Sequence, residues 1–268
     1  MHSTAPPARP QATHEFPAAA ARNGGPISNP NPLCHAPNLS PRHVTPAELL
    51  RAEDLWFQYP RRRILRGISC QLQPGELVIL RGANGAGKTT LLRCLAHLAR
   101  PTRGSLYLHG TLLERGTWDR RSIGYSAPLH GLYPELTPRE NLELAARLTA
   151  LDQPPQQAIR GLQWAGLVPQ ADDPTRTLSQ GMRQRLSLAR ALLHEPPLRL
   201  LDEPFTHLDG THRDWLMQQL HSWRAAGAAI LLSSHDDLPW DVLADRLWLL
   251  DQGQLHEERF PRQREAAA

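Results

Sequence analysis

Two short stretches hold residues whose types and spacing suit chemistry on phosphate. The first is "GANGAGKTT", Gly82 to Thr90, which follows the apolar run "GELVILR". Gly82, Gly85 and Gly87 let the backbone wrap closely, so that its N–H donors can surround phosphate oxygens. Asn84, Ala86 and Thr90 belong to the same phosphate-binding set. A helix beginning near Lys88 adds its positive dipole end. Lys88 would place a cation on the β- and γ-phosphates, and Thr89 would offer a hydroxyl to Mg²⁺.

The second stretch is "LRLLDEP", Leu198 to Pro204, an apolar run ending in two acids. Asp202 would hold Mg²⁺ through a water. Glu203 would polarise an attacking water as general base. A lone acid pair after apolar residues could simply end a strand. Downstream of a phosphate loop, with a proline closing the run, it gains the sense of a metal-assisted hydrolytic site.

These residues need strands that end together. "LRAEDLWFQY" and "ILRGISCQL" alternate like strands joined by the basic turn "PRRR". "GELVILRG" reads as a buried strand, "KTTLLRCLAHLA" as a helix and "GSLYLHGTLL" as strand again. Residues 137–167 read as largely helical, with Thr137 and Glu140 at capping-box spacing and Pro138 suited to the first turn. After the helix of "LSQGMRQRLSLARALL", the runs "LRLLD" and "AAILLSS" flank the helical "GTHRDWLMQQLHSWRAAG". That alternation predicts an α/β fold with a parallel sheet covered by helices.

The 268 residues are 40% hydrophobic, enough for a sizeable core, and the formal net charge is +4. The arginines are scattered through apolar-periodic segments, so no nucleic-acid partner is expected. Cys34, Cys70 and Cys94 form no metal or disulfide pattern and fit a reducing compartment. No run of 18 apolar residues and no secretory h-region is present. Residues 1–46 hold ten of the 25 prolines and little apolar periodicity, so a disordered Pro/Ala-rich tail is expected there. A flexible C-terminal tail is expected over 258–268. The seven tryptophans read as packing residues, and the arginines of "MRQR" as a solvated helix face.

Together with "LSQGMRQRLSLARALL", these motifs make the chain resemble the ATP-binding subunits of ABC transporters, over roughly Leu50 to Leu255. Gly82 to Thr90 match the Walker A motif, and Leu178, Ser179, Gln180, Gly181 and Met182 the signature motif. Asp202 and Glu203 match Walker B and its catalytic glutamate, Leu208 and Asp209 the D-loop, and His235 in "LLSSHD" the catalytic switch histidine. Tyr59 sits where an aromatic residue usually stacks on adenine; an exposed strand tyrosine is the other reading.

The resemblance implies a P-loop NTPase core of mostly parallel sheet with helices. An antiparallel β subdomain and a helical signature subdomain at about 134–195 complete the ATPase domain, 47–257. It implies ATP and Mg²⁺ as ligands, and head-to-tail closure with a second copy or a second ABC ATPase subunit. Each ATP would lie between Walker A of one chain and Ser179 and Gly181 of the other. It further implies a transmembrane permease as partner, and thereby a cytoplasmic, peripheral location at the inner face of the cell membrane.

The phrasing "LSQGMRQRLSLARALLHEPPLRLLDEPFTHLD" looks like the haem-export, cytochrome-c-maturation branch. One departure is sharp. In "IGYSAPLHGLYPELTPRENL" the family usually has a glutamine where this chain has Pro128, which has no side-chain oxygen and no N–H. Ser126 and His130 flank it at two residues' distance, and either could be aimed inward. Two other readings stay open: a soluble non-transport ABC ATPase, and a nucleotide-binding regulatory subunit with little turnover. One domain's length and the lack of sustained heptads disfavour the first. Lys88, Asp202, Glu203 and His235 disfavour the second.

Overall fold

The computed structural model describes residues 48–114, 119–128, 131–235 and 240–260. The tail expected over 1–46 lies outside them, as do Cys34, Trp118 and His130. Among the described residues, ten strands divide between two sheets. The antiparallel sheet joins β1 (Leu50–Tyr59), β2 (Arg62–Leu72), β4 (Arg103–Leu108) and β5 (Thr111–Leu112), in the order β2-β1-β4-β5. The larger sheet joins β3 (Leu77–Arg81), β6 (Ile123–Ser126), β7 (Leu198–Leu201), β8 (Ala229–Ser233), β9 (Arg246–Asp251) and β10 (Gln254–Arg259). Its order is β10-β9-β3-β8-β7-β6, parallel except for β10.

The parallel strands are largely apolar on both faces because both faces are covered. Val78 and Leu80 of β3 pack toward the antiparallel sheet and α1 (Lys88–Leu95), in a cluster with Leu91, Leu95 and Leu65. Leu77 and Ile79 face the other way, with Leu216, Leu220 and Trp223 of α5 (Gly210–Ala225) and Leu243 of the short α6 (Trp240–Leu243). The α/β expectation, with its antiparallel β subdomain, is met.

A helical arm of α2 (Pro138–Leu148), α3 (Pro154–Ala165) and α4 (Gln180–Leu192) has its own core of Leu142, Leu162, Leu178 and Leu186. The capping box closes as the spacing predicts. Thr137 Oγ1 accepts from the Glu140 N–H at 3.2 Å, and the Glu140 carboxylate accepts from the Thr137 N–H at 2.8 Å.

Two expectations change. Arg185 of "MRQR" is buried rather than solvated: its guanidinium donates to the Ala165 carbonyl and satisfies the C-terminal end of α3. At the C-terminus, β10 pairs with β9 through Glu258↔Leu247 and Arg259↔Arg246. The ordered sheet thus runs past the expected start of a flexible tail at 258. Residues 261–268 lie outside the description.

Candidate active site

The carboxyl ends of β3, β8, β7 and β6 lie side by side, and the segments leaving them carry most of the residues singled out by sequence. This is where open α/β sheets hold ligands. A cavity of about 800 Å³ opens there, lined by Asn84, Gly85, Gly87, Lys88, Thr89, Thr90, Pro128, Glu203 and His235.

The loop after β3 turns into α1 at Gly87, whose φ is 110°. A Cβ there would stand 2.7 Å from Ile64 Cγ2 of β2, so glycine is required for both conformation and space. Lys88 is buried, and its ammonium donates to the Gly82 carbonyl at 2.9 Å and meets His235 Nε2 at 2.9 Å. Burial pulls the Lys88 pKa below its usual value, opposed by the charges of Glu203 and Asp202. A negative phosphate beside Lys88 would relieve that desolvation.

Asp202 lies below the cavity floor, 4% exposed, and outside the lining. Ser233 at the end of β8 fixes both acids. Its hydroxyl donates to Asp202 Oδ1 at 2.6 Å and accepts from the Glu203 N–H at 2.9 Å. Glu203 adopts φ 48°, an unusual left-handed conformation for this residue type that this hydrogen bond helps to hold. Its side chain reaches the cavity, with Oε1 3.1 Å from His235 Nε2. Burial raises the Glu203 pKa, with His235 and Lys88 opposing. A carboxylate short of solvent, with its pKa pushed upward by burial, suits a general base.

The oxygen donors fit Mg²⁺. Among the described residues no cluster of three His, Cys, Asp or Glu could cage a metal. The Thr89 hydroxyl lines the cavity and Asp202 lies just beneath it. Mg²⁺ keeps several waters and takes phosphate oxygens, so it asks for such a sparse protein set.

The remaining candidates divide. Gly82 and Ala86 sit in the loop behind the lining. Tyr59 is 52% exposed at the end of β1, edge-on to Phe57, and does not line the cavity. Pro128 does line it. Ser126 does not: its hydroxyl lies 3.5 Å from Ser187 on α4, so it is turned into the arm. Ser179 and Gly181 also lie outside the lining. Ser179 caps α4, accepting from the Met182 N–H at 3.2 Å. A Cβ on Gly181 would stand 2.8 Å from the His207 carbonyl oxygen, so the α4 start needs glycine to approach that loop. Asp209 caps α5, accepting from the His212 N–H at 2.9 Å.

Three contributors were missed. Arg62 lines the cavity and donates to the Gly85 carbonyl at 3.2 Å. Gln184 donates to the Pro204 carbonyl at 3.1 Å, joining α4 to the acid-bearing loop. Ser233 is the third. In sequence, only its place beside His235 in "LLSSHD" gave a signal.

A glycine loop feeding a helix, a lysine at its start and a strand-end acid pair define a P-loop nucleotide-hydrolase site. A family model described as ABC transporter matches residues 65–206, and the chain belongs to that family as an ATP-binding subunit. Such subunits hydrolyse ATP to power a separate membrane transporter.

The chain is 39% identical over 193 residues to the cytochrome c biogenesis ATP-binding export protein CcmA 2 of Cupriavidus metallidurans, covering 71% of this chain and 91% of that protein. It is 36% identical to the Nod factor export ATP-binding protein I of Burkholderia pseudomallei, covering 82% and 72%. Among solved structures, an ATP-binding subunit of an ABC transporter superposes with a TM-score of 0.71 at 32% identity, covering 79% and 90%. A dimeric ATP-binding cassette with ADP and Pi, in a post-hydrolysis state, superposes with 0.72 at 26% identity, covering 79% and 99%.

Proposed function

We propose that this chain hydrolyses ATP with Mg²⁺ as one half of a head-to-tail dimer, and that the dimer drives a transmembrane permease of the cytochrome-c-biogenesis export type. The observation that carries the dimer is the split of the candidate residues. Lys88, Thr89, Glu203 and His235 meet at one cavity, whereas Ser179 and Gly181 stand outside its lining at the exposed start of α4. A helix N-terminus favours negative phosphate. A second copy can bring that start over the first copy's nucleotide, completing two identical sites by two-fold symmetry.

In this reading Lys88 and the loop N–H groups hold the β- and γ-phosphates. Glu203 takes the proton of the attacking water, and His235 orients Glu203 and the terminal phosphate. Thr89 and, through a water, Asp202 would hold Mg²⁺, which supplies positive charge at the phosphate oxygens. The export branch rests on the relatives' names and on the motif phrasing. Among the described residues no helix is long and apolar enough to cross a membrane, which accords with a separate permease.

Pro128 at the cavity wall favours one competing reading, a regulatory subunit that binds nucleotide poorly. Calorimetric titration of Mg-ATP into wild type and Pro128→Gln separates them. A water can take the place of the missing amide oxygen, so the two proteins should bind within about tenfold, about 1.4 kcal/mol. Wild type that fails to bind, with binding restored in Pro128→Gln, would establish the competing reading.

Affinity purification from solubilised membranes tests the partner. An integral membrane protein should come down with the chain. Ribosomes in its place would favour a soluble, non-transport ATPase.

A further inference from the structure

β7 carries an arginine among leucines. Arg199 is the second residue of a strand buried along its whole length, and is itself 7% exposed. Strand alternation turns Leu198 and Leu200 toward α1, and sends Arg199 with Leu201 to the α5 face. There its guanidinium carbon lies 4.5 Å from the centroid of the Trp223 ring. Its Nε donates to the Pro196 carbonyl at 3.2 Å. Neither Nη group makes a hydrogen bond among the described residues, and no carboxylate pairs with them; Glu195 acts only from beyond contact.

Arg199 lines a cavity of about 470 Å³ at the amino end of β7, away from Asp202. The cavity shares no lining residue with the nucleotide cavity. One wall is the helical arm, with Gly161 and Trp164 of α3 and Leu192 at the end of α4. The other is the core, with Arg199 and, from α5, Ser222 and Trp223. This volume falls in the range of small-molecule sites.

We infer that this cavity binds a small organic monoanion, a carboxylate on a compact apolar body, whose charge pairs with Arg199 and whose body bridges the arm and the core. Arg199 is largely desolvated, and its Nη groups reach the cavity with no anion beside them; a carboxylate matches that planar fork. Burial already draws the Arg199 pKa down to about 10, a cost that a bound anion would offset. Exposed Arg160 adds a second cation at the rim, while exposed Glu195 opposes a multiply charged ligand. The aromatic faces are largely occupied, since Trp223 lies between Trp164 at 5.9 Å and the Arg199 guanidinium at 4.5 Å, and Trp164 also meets Trp215 at 4.7 Å. A compact apolar body therefore suits the space better than a large ring system. Ser179 caps α4, so an occupant here would hold the arm that presents Ser179 against the core.

The tryptophans in its wall give the readout. The full-length chain is titrated with sodium benzoate at constant ionic strength, and in parallel with benzyl alcohol, following tryptophan fluorescence. Benzoate should give a saturable change that the neutral alcohol does not. Arg199→Gln should weaken it at least about tenfold, the loss expected for a charge-assisted pair. Ser222→Glu sets a carboxylate at an exposed position of the wall, so folding should survive. It should abolish the benzoate response while leaving Mg-ATP binding unchanged and the melting temperature no lower than that of wild type. A benzoate response that does not saturate, that benzyl alcohol reproduces, or that persists in Ser222→Glu would overturn the site. Mg-ATP binding read on the same samples keeps this outcome separate from the fate of the ATPase reading.

Discussion

Lys88, Glu203 and His235 share one corner of the cavity, and pH acts on that corner through Glu203. Burial raises its pKa above the ordinary 4.5. A general base works ionised, so turnover should fall as pH drops through a value above 4.5, not at or below it. A kcat–pH profile whose acid limb lies at or below the ordinary glutamate value would contradict this role. Lys88→Ala should remove nucleotide binding almost entirely, because it takes the cation from the phosphate site; titration calorimetry reads the loss directly.

The motif residues were legible in sequence because their spacing is local. Gly87, Lys88 and Thr89 are consecutive, as are Asp202 and Glu203. Ser233 and Arg62 were not, because their partners lie 31 and 23 residues away and only folding brings them together. Pro128 was legible as a departure. That Ser126 turns to Ser187 instead of the cavity follows from a contact with α4, 61 residues on.

Two element ends can be tested in isolation. Thr137 closes the capping box of α2, so Thr137→Ala should cost about 1 kcal/mol. In a domain of this size that is a fall of about 2–4 °C in melting temperature by scanning calorimetry. An unchanged melting temperature would show the cap to be idle. At α4, Gly181→Ala drives a Cβ to 2.8 Å from a backbone oxygen, which cannot move like a side chain. It should impair turnover far more than Gly210→Ala, where a Cβ would meet nothing within 4 Å. Equal ATPase activity in the two variants would remove the need for close approach at Gly181. Helices and strands were readable here because their periods are local, and the capping box because it spans four residues. The burial of Arg185 was not readable. The acceptor of its hydrogen bond is a helix-end carbonyl 20 residues back, and a charged residue on an amphipathic helix reads as solvated until the facing end is known.

Among the described residues, four strands send their loops to one edge of the larger sheet, while the arm leaves after β6 and returns at β7 with the start of α4 exposed. That arrangement makes one chain hold the phosphate loop and acids of one site and present a helix start for another. The alternation of strand and helix made the parallel sheet predictable. The order β10-β9-β3-β8-β7-β6 was not, since β3 lies between β8 and β9, whose paired residues are far along the chain, as in Leu77↔Ile230 and Val78↔Arg246. The central claim is that ATP is enclosed between two copies, with Glu203 ending the closed state by hydrolysis. Size-exclusion chromatography with light scattering on Glu203→Gln tests it most directly. With Mg-ATP the variant should run as a dimer, and without nucleotide as a monomer. Adding Ser179→Arg to that variant should return it to monomer even with Mg-ATP. A Glu203→Gln protein that binds Mg-ATP and stays monomeric at high concentration would contradict the account.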